Sequence, residues 1–451
     1  MTSDLRTRLD RTLGATTRPT EPADAERAKQ ETIRDLRRRL ETIVERRPGP
    51  RPLDSARGHG TVSPSGVEGP EPVVESLDVD RLVPGEFRDT PYGPAFVAVR
   101  RYPLFHHQGR VPLDAFLAAD AGALARFVRE PRLAGIDKER LLFLDTETTG
   151  LAGGTGVYAF LVGVAFFTAS ELVVEQFFMR DYGEEAAALA AFAERAAPFE
   201  ALVSFNGKAF DVSLLDTRFT MNRIGLRLAG LPHLDLLHPA RRLWRGEFAD
   251  CSLGSIEEGV LGMARAEDIP GAQIPEVYFQ YVRRRDARTI AKVFRHNELD
   301  LVSLAPLAAR VARLAAEGPE CADAGPRELF AVGRFHAVLG EHARAADCFT
   351  HALGSPAPAA LAESIRRELS LAYKRLERFE EAAALWEEML RAATDAFPFI
   401  ELAKHHEHRA RDARRALEVV TEVLRQRAFL APEEVTDLEY RLARLRRKVG
   451  A

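Results

Sequence analysis

The sequence is poor in cysteine and carries little net charge. It has 451 residues, 3 cysteines and a formal net charge of −4. Cys251, Cys321 and Cys348 show no C-x-x-C spacing, which argues against a disulfide framework and against a thiolate zinc site. The charge excludes a generally basic nucleic-acid coat protein, so any binding to nucleic acid must use local positive patches or metal ions.

Long apolar runs are missing as well. No uninterrupted run is long enough to cross a bilayer, and the first residues, 1–6, lack the apolar core of a signal peptide. Hydrophobic residues make up 46% of the chain, and its length predicts two or three domains. We therefore expect a soluble, cytoplasmic protein without membrane contact.

Composition divides the chain into three predicted parts. Residues 1–75 read as an appendage, a charged helix followed by a Pro- and Gly-rich stretch that we expect to be a disordered, flexible linker. Residues 76–317 are globular in pattern, and residues 326–448 are helical.

The second part alternates strand-like and helix-like segments. Three β-rich runs separated by short polar turns predict consecutive antiparallel strands at 141–144, 157–167 and 171–179. The later segments predict helices at 184–197 and 212–224, with short strands at 201–205 and 233–236, and helical structure from there to about 317. Upstream, the pattern predicts a strand at 96–99 and one helix at 113–130. This order indicates an α/β fold with a mixed sheet.

Four acids stand in three short motifs of this α/β part. Asp145 and Glu147 lie in L-F-L-D-T-E-T-T-G, Asp211 ends S-F-N-G-K-A-F-D, and Asp300 ends H-N-E-L-D. Carboxylate oxygens are ligands that Mg²⁺ or Mn²⁺ prefers. Four such groups at one point would repel each other strongly without cations between them. The motifs therefore predict a site for divalent metal ions.

The predicted elements allow these acids to converge. Asp145 and Glu147 are two residues apart at the end of a strand, so their side chains point to the same face. Asp211 lies where the next helix begins. His296 and Asp300 are four residues apart in a helical stretch and share one face. We expect Asp145, Glu147, Asp211 and Asp300 to hold two cations, with His296 taking a proton from the attacking water.

Three further residues near these motifs are candidates for substrate contact. Asn206 is placed to bond a substrate or to order the turn, and Lys208 to meet a phosphate. Thr148 follows the strand acids directly. The interpretation is metal-assisted hydrolysis of a phosphodiester.

The three motifs together resemble the four-acid (DEDD) 3′–5′ exonuclease clan on the ribonuclease H-like fold. The stretches 144–150, 205–211 and Asp268-Ile269-Pro270-Gly271 resemble its YprB-type ribonuclease H-like branch, often joined to tetratricopeptide repeats. The resemblance covers about residues 75–315 and implies exonuclease chemistry with Mg²⁺ or Mn²⁺ on DNA or RNA. It implies the four acids as ligands and His296 as general base. One detail departs from the clan: His296 stands four positions before Asp300, the spacing of its tyrosine class rather than its histidine class.

The third part of the chain contains an internal repeat. Ala345-Ala346, Phe349 and Leu353 recur as Ala382-Ala383, Trp386 and Leu390, and again as Ala416-Leu417, Val420 and Leu424. The offsets are about 37 and about 34 residues, close to the tetratricopeptide period. Helix-turn-helix units are predicted at 335–353, 371–390 and 400–424, and such a stack recruits a protein partner.

These observations predict a metal-dependent nuclease, a 3′–5′ exonuclease acting on single-stranded ends. Two alternatives stay open on the sequence. One is a scaffold that binds nucleic acid without cutting it, and the other is an endonuclease specific for structured substrates, since the same metal chemistry serves both kinds of cleavage.

Overall fold

The computed structural model describes residues 77–150, 155–391, 393–426 and 430–450. The predicted N-terminal helix and linker, residues 1–75, lie outside this range, as do Gly153 and Gly154.

A seven-stranded mixed sheet forms the centre of the α/β part. Its strands are β1 (Gly85–Thr90), β2 (Gly93–Pro103), β5 (Leu141–Thr148), β6 (Ala159–Phe167), β7 (Glu171–Phe178), β8 (Ala201–Ser204) and β9 (His233–Asp235). They are arranged in the order β1-β2-β7-β6-β5-β8-β9. Two short strands, β3 (His107–Gln108) and β4 (Val111–Pro112), pair separately.

The predicted antiparallel strands are confirmed as β5, β6 and β7, which pair in succession. The sheet extends further than predicted, because β7 also pairs antiparallel with β2, and β2 with β1. The strand predicted at 96–99 is only the buried centre of the longer β2. The ends of β2 contain exposed residues and are defined by pairing rather than by a local apolar run: β1 pairs with its first residues and β7 with its last.

The other edge of the sheet is parallel. β5 pairs with β8, and β8 with β9. Helices α3 (Glu185–Ala196) and α4 (Asp211–Met221) follow the predicted positions and cover one face of the sheet. Parallel neighbours end at the same edge, so the ends of β5 and β8 lie side by side.

The helix predicted at 113–130 is wrong as a single element. The structure has α1 (Asp114–Ala118) and α2 (Ala121–Val128), separated by two residues. Ala119 is extended, and the Asp120 side chain accepts a hydrogen bond from the Ala123 N–H. An aspartate that caps a new helix in this way interrupts the preceding one.

The opposite face of the sheet is covered by a long helix. The elements after β9 are α5 (Leu237–Trp244), α6 (Leu253–Ile256), α7 (Ile274–Arg284) and α8 (Ala287–Glu317). Leu141 and Phe143 of β5 pack on the α8 side, whereas Leu142 and Leu144 pack on the α3–α4 side. Alternate residues of β5 therefore face different helices.

The remaining chain is all-helical, as predicted. Its helices are α9 (Pro326–Val338), α10 (His342–Leu353), α11 (Ala359–Arg375), α12 (Phe379–Leu390), α13 (Phe397–His408), α14 (Ala413–Arg425) and α15 (Pro432–Val449). The small and large repeat residues Ala382, Trp386, Ala416 and Val420 are buried together. The predicted units start too late, since the first helix of each pair begins about 3 to 12 residues earlier. Their tetratricopeptide-like character stays a prediction.

Candidate active site

Strand β5 carries Asp145 and Glu147 to the edge of the sheet. Its first four residues are buried, and its register places Asp145 opposite Gly163 and Glu147 opposite Leu161. The pairing is irregular between Glu147 and Thr148. Alternation from Phe143 puts both acids on the α8 face. The buried start of the strand thus fixes both carboxylates beside one helix.

Asn297 of α8 holds the Asp145 carboxylate. Its Nδ2 donates to Oδ2 of Asp145 at 2.7 Å, and its Oδ1 accepts from Nε2 of Gln176 at 2.8 Å. A side chain at Gly163 would begin 2.0 Å from Oδ1 of Asn297. The sequence analysis did not assign a role to Asn297. It lies in the H-N-E-L-D motif, but only the first and last residues of that motif, His296 and Asp300, were predicted to act.

Asp211 lies in the first turn of α4, as predicted, next to the end of β5. The Thr146 hydroxyl donates to its Oδ1. Thr146 alternates with Asp145 and Glu147, so Asp211 is held from the α4 side of the strand. Burial raises the pKa of Asp211 to about 6, against the lowering effect of the hydrogen bond from Thr146.

Asp300 and His296 share one face of α8, as their spacing predicts. His296 Nε2 lies 3.7 Å from Oδ2 of Asp300, and its Nδ1 lies 2.8 Å from Oδ1 of Asp268. An ionised carboxylate only accepts hydrogen bonds, so the proton of this contact belongs to Nδ1, and in the neutral imidazole Nε2 is then the acceptor. Asp268 thereby orients the imidazole, a role that the sequence did not indicate.

Arg265 is a further residue that sequence reasoning missed. It donates two parallel hydrogen bonds to Glu257, one to Asp268 and one to Asp300. Glu257 begins a π-helical turn (Glu257–Leu261), and its side chain is fully buried. Neither residue lies in one of the three acid motifs. They reach the site because the segment before α7 packs beside α8 in the folded chain.

The four acids interact electrostatically. Burial raises the pKa of Asp145 well above its ordinary value, and the charges of Asp300 and Asp211 add to this effect. Burial likewise raises the pKa of Glu147, with contributions from Asp145, Asp300 and Asp211. The structure thus brings the four predicted acids close enough for their charges to interact, and ionisation of Asp145 and Glu147 is disfavoured there.

The four carboxylates are suitable ligands for divalent cations, although three of them accept hydrogen bonds from protein side chains in this structure. In the part of the chain that the structure describes, no three acidic, histidine or cysteine side chains are grouped as a coordination shell. Asn297, Thr146 and Arg265 occupy the oxygens of Asp145, Asp211 and Asp300 instead. A hard cation would favour the ionised form of the carboxylates and so oppose the raised pKa of Asp145, Glu147 and Asp211.

The three predicted substrate residues lie in the same motifs as Glu147 and Asp211, but their hydrogen bonds go to other groups. Asn206, in the left-handed conformation with φ of 69°, and Lys208 are exposed, and their backbone N–H groups bind the Asp235 carboxylate. Lys208 also lines a cavity of about 80 Å³ beside His233. Thr148 is buried, and its hydroxyl donates to the Gly150 carbonyl. Among the described residues, none of the three is hydrogen-bonded to the four acids.

The RNase_H superfamily matches residues 142–312, an interval that contains all four acids and His296. A Bacillus subtilis (strain 168) protein, named Uncharacterized protein YprB, is 35% identical over 321 residues, which cover 70% of this chain and 77% of that protein. Among the described helices, none is long and apolar enough to traverse a bilayer.

The match and the fold agree. The antiparallel strands β5, β6 and β7 and the parallel strands β8 and β9 fall in the matched interval, apart from Leu141, whereas β1 and β2 precede it. Members of the superfamily are typically nucleases that use divalent metals and bind nucleic acid. This chain belongs to the YprB family, and its residues 142–312 are a domain of the RNase_H superfamily.

Proposed function

We propose that this chain is a metal-dependent nuclease that hydrolyses phosphodiester bonds, a 3′–5′ exonuclease acting on single-stranded DNA or RNA ends. The observation that carries the proposal is the meeting of Asp145, Glu147, Asp211 and Asp300 beside a histidine that a carboxylate orients. Each group alone has ordinary structural uses. Their combination within an RNase_H superfamily domain has a common chemical use in phosphodiester cleavage.

The four acids are the proposed ligands of two Mg²⁺ or Mn²⁺ ions. Bound there, such ions would promote ionisation of a water molecule and neutralise charge on the leaving oxygen. The chain itself prepares the ligands. Asn297 fixes Asp145, Thr146 fixes Asp211, and the buried start of β5 limits the movement of Glu147.

His296 is the proposed general base. Asp268 holds the Nδ1 proton, so Nε2 is free to accept a proton on the side that faces Asp300. The carboxylate also stabilises the imidazolium that forms. Burial alone would raise the pKa of Asp268, but hydrogen bonds from His296 and Arg265 bring it below its ordinary value. Asp268 therefore stays ionised while His296 changes charge.

Substrate and partner contacts are proposed for the surroundings of this site. Asn206 and Lys208 present exposed side chains on the loop before α4, where they would meet phosphates or bases, and Thr148 would shape the adjoining turn. The helical pairs from α9 onward are proposed to be tetratricopeptide-like and to recruit a protein partner. A cytoplasmic location is proposed as well, since the three cysteines do not suggest a disulfide framework.

One observation favours the alternative of a binding protein that does not cut. Arg265 already neutralises Asp300, one of the four acids. If this ion pair were permanent, the cluster would lack a ligand, and the domain would bind nucleic acid without hydrolysing it.

Cleavage of single strands labelled at either end, in Mn²⁺ or Mg²⁺, tests the proposal. Wild-type protein should shorten DNA or RNA from the 3′ end, and Asp145→Asn should abolish cleavage. Asp114→Asn, an exposed acid on α1, serves as the matched control and should cleave normally. If wild type and Asp145→Asn gave equal products, the cleavage would not depend on this site, and the alternative of a protein that binds nucleic acid without cutting it would stand. Cutting of a circular strand would identify an endonuclease.

A further inference from the structure

Arg265 lies at the centre of the ion pairs around Asp300. Its Nε and Nη2 lie 2.6 and 2.7 Å from the two oxygens of Glu257, and its Nη1 lies 3.1 Å from Oδ2 of Asp268. The same Nη2 donates to Oδ1 of Asp300. A guanidinium is a planar fork of five N–H donors without an acceptor. Arg265 therefore binds three carboxylates at once.

Burial makes this arrangement hard to dissolve. The Arg265 side chain is 9% exposed and that of Glu257 is fully buried. A buried charge is tolerated when it is paired and hydrogen-bonded. Burial by itself would lower the pKa of Arg265, but the hydrogen bond to Glu257 and the charge of Asp300 raise it. Arg265 thus keeps its positive charge next to the acid cluster.

A metal ion and Arg265 would make opposing demands on Asp300. Oδ1 accepts from Arg265 and Oδ2 faces His296, so neither oxygen is without a neighbour. Two cations close to one carboxylate also repel each other. Glu257 and Asp268 offer Arg265 enough partners to remain paired if it releases Asp300.

We propose that Arg265 is a tethered cation that competes with a divalent metal ion for Asp300 and thereby sets the metal affinity of the site. The inference rests on the proposed function, because it takes Asp300 as a metal ligand. Glu257 opposes this competition, because its carboxylate accepts two hydrogen bonds from Arg265 and so weakens the ion pair between Arg265 and Asp300. Loss of the Glu257 charge would strengthen that ion pair.

Two variants of the full chain should therefore shift metal binding in opposite directions. Arg265→Met with Glu257→Gln removes the cation together with its buried partner, so no unpaired buried carboxylate remains at position 257. Mn²⁺ should bind at least tenfold more tightly than to wild type. Glu257→Gln alone should weaken Mn²⁺ binding at least threefold.

Binding is measured without nucleic acid, by the electron paramagnetic resonance signal of free Mn²⁺. The matched control is Arg295→Met. Arg295 lies on α8, the helix of Asp300, but it is 58% exposed and pairs with Glu298, so its loss should change the affinity less than twofold. A role of Arg265 in folding alone predicts no opposite shifts. Circular dichroism checks that each variant is folded.

An unchanged or weaker affinity of the folded double variant overturns the inference, and so does tighter binding by Glu257→Gln. If the double variant does not fold, the single variant decides. Absence of Mn²⁺ binding from every protein also overturns it. Opposite shifts without any cleavage by wild type would overturn the proposed function and leave the competition intact.

Discussion

Gly163 is the residue that lets α8 approach the sheet beside Asp145. It lies opposite Asp145 in the β5–β6 pairing, and the Asn297 amide lies above it. No side chain larger than hydrogen fits there without moving Asn297. A glycine at position 163 is therefore needed for Asn297 to hold Asp145, a proposed metal ligand, in place.

Gly163→Ala should destabilise the protein by about 2 to 4 kcal/mol, from overpacking and from the loss of the Asn297 hydrogen bonds. Urea unfolding measures the free-energy change. Gly135→Ala is the control, because an added Cβ at this exposed glycine meets nothing within 4 Å, and its effect should stay within about 0.5 kcal/mol. A similar effect of both substitutions would contradict the assigned contact.

His296 supplies the proton transfer in the proposed mechanism. His296→Gln should lower kcat by about 10²- to 10⁴-fold, the usual contribution of a general base, with little change in KM or in unfolding free energy. Steady-state cleavage of a labelled strand gives both constants. The exposed His351→Gln should leave them unchanged, and a His296→Gln enzyme of full kcat would exclude the base role.

Residues inside the motifs could be predicted from the sequence, but their partners could not. The spacing of Asp145 and Glu147 or of His296 and Asp300 follows from strand and helix periodicity. Asn297 reaches Asp145 across 152 positions, and Arg265 reaches Asp300 across 35. Such pairs depend on which elements pack together, and no local pattern carries that information.

At the scale of elements, Asp235 organises the loop that leads to Asp211. Its two oxygens accept from the N–H groups of Asn206, Lys208 and Leu237. One carboxylate at the end of β9 thus fixes the β8–α4 loop and the start of α5.

Glu407 has a comparable role in the last helices. Its buried carboxylate on α13 accepts hydrogen bonds at 2.6 to 2.8 Å from Arg441, Arg444 and Lys448 of α15. Burial alone would raise the pKa of Glu407, but the bonds from Lys448 and Arg444 lower it to about 2.

Glu407→Gln should therefore loosen α15 in a pH-dependent manner. The pKa of Glu407 is lower in the folded than in the unfolded state, so its contribution is complete above about pH 4.3 and is lost as the pH falls towards 2. Allowing for the partly exposed partners, we expect about 2 kcal/mol at pH 7.

Hydrogen exchange of the α15 amides at pH 7, 4 and 3 measures this gap between wild type and Glu407→Gln, which should shrink at each step. Glu418→Gln, in an exposed pair with Arg415, should show almost no gap at any pH. A gap for Glu407→Gln that stayed constant with pH would rule out the charge as its cause.

At the scale of the whole molecule, the hydrophobic core crosses from the sheet into the helical region. Val332, Phe335 and Cys348 belong to the same buried cluster as Phe143 and Trp244. Glu328 of α9 accepts from the Trp244 indole N–H at 2.9 Å. The predicted limits at 317 and 326 follow composition, which does not show that α9 and α10 complete the core of the preceding part.

A chain ending after residue 320 should consequently be less stable than one ending after residue 356, which keeps α9 and α10. The shorter chain lacks Phe335 and exposes the core surface against which this ring packs. Loss of one buried phenylalanine ring lowers the free energy of unfolding by about 3 to 5 kcal/mol. Urea unfolding of the purified chains tests this. Equal stability of the two chains would show that the sheet and its helices form a complete core without α9 and α10.

Helix α8 runs for 31 residues, from the loop after α7 to the region next to α9. Its early turns carry His296, Asn297 and Asp300, and its later turns pack in the core shared with α9. One inserted residue in between would rotate the later face by about 100° relative to the acids. An insertion or deletion of one residue within α8 should therefore separate the site from its supporting core, so we expect such changes to be tolerated only in the turns outside this helix.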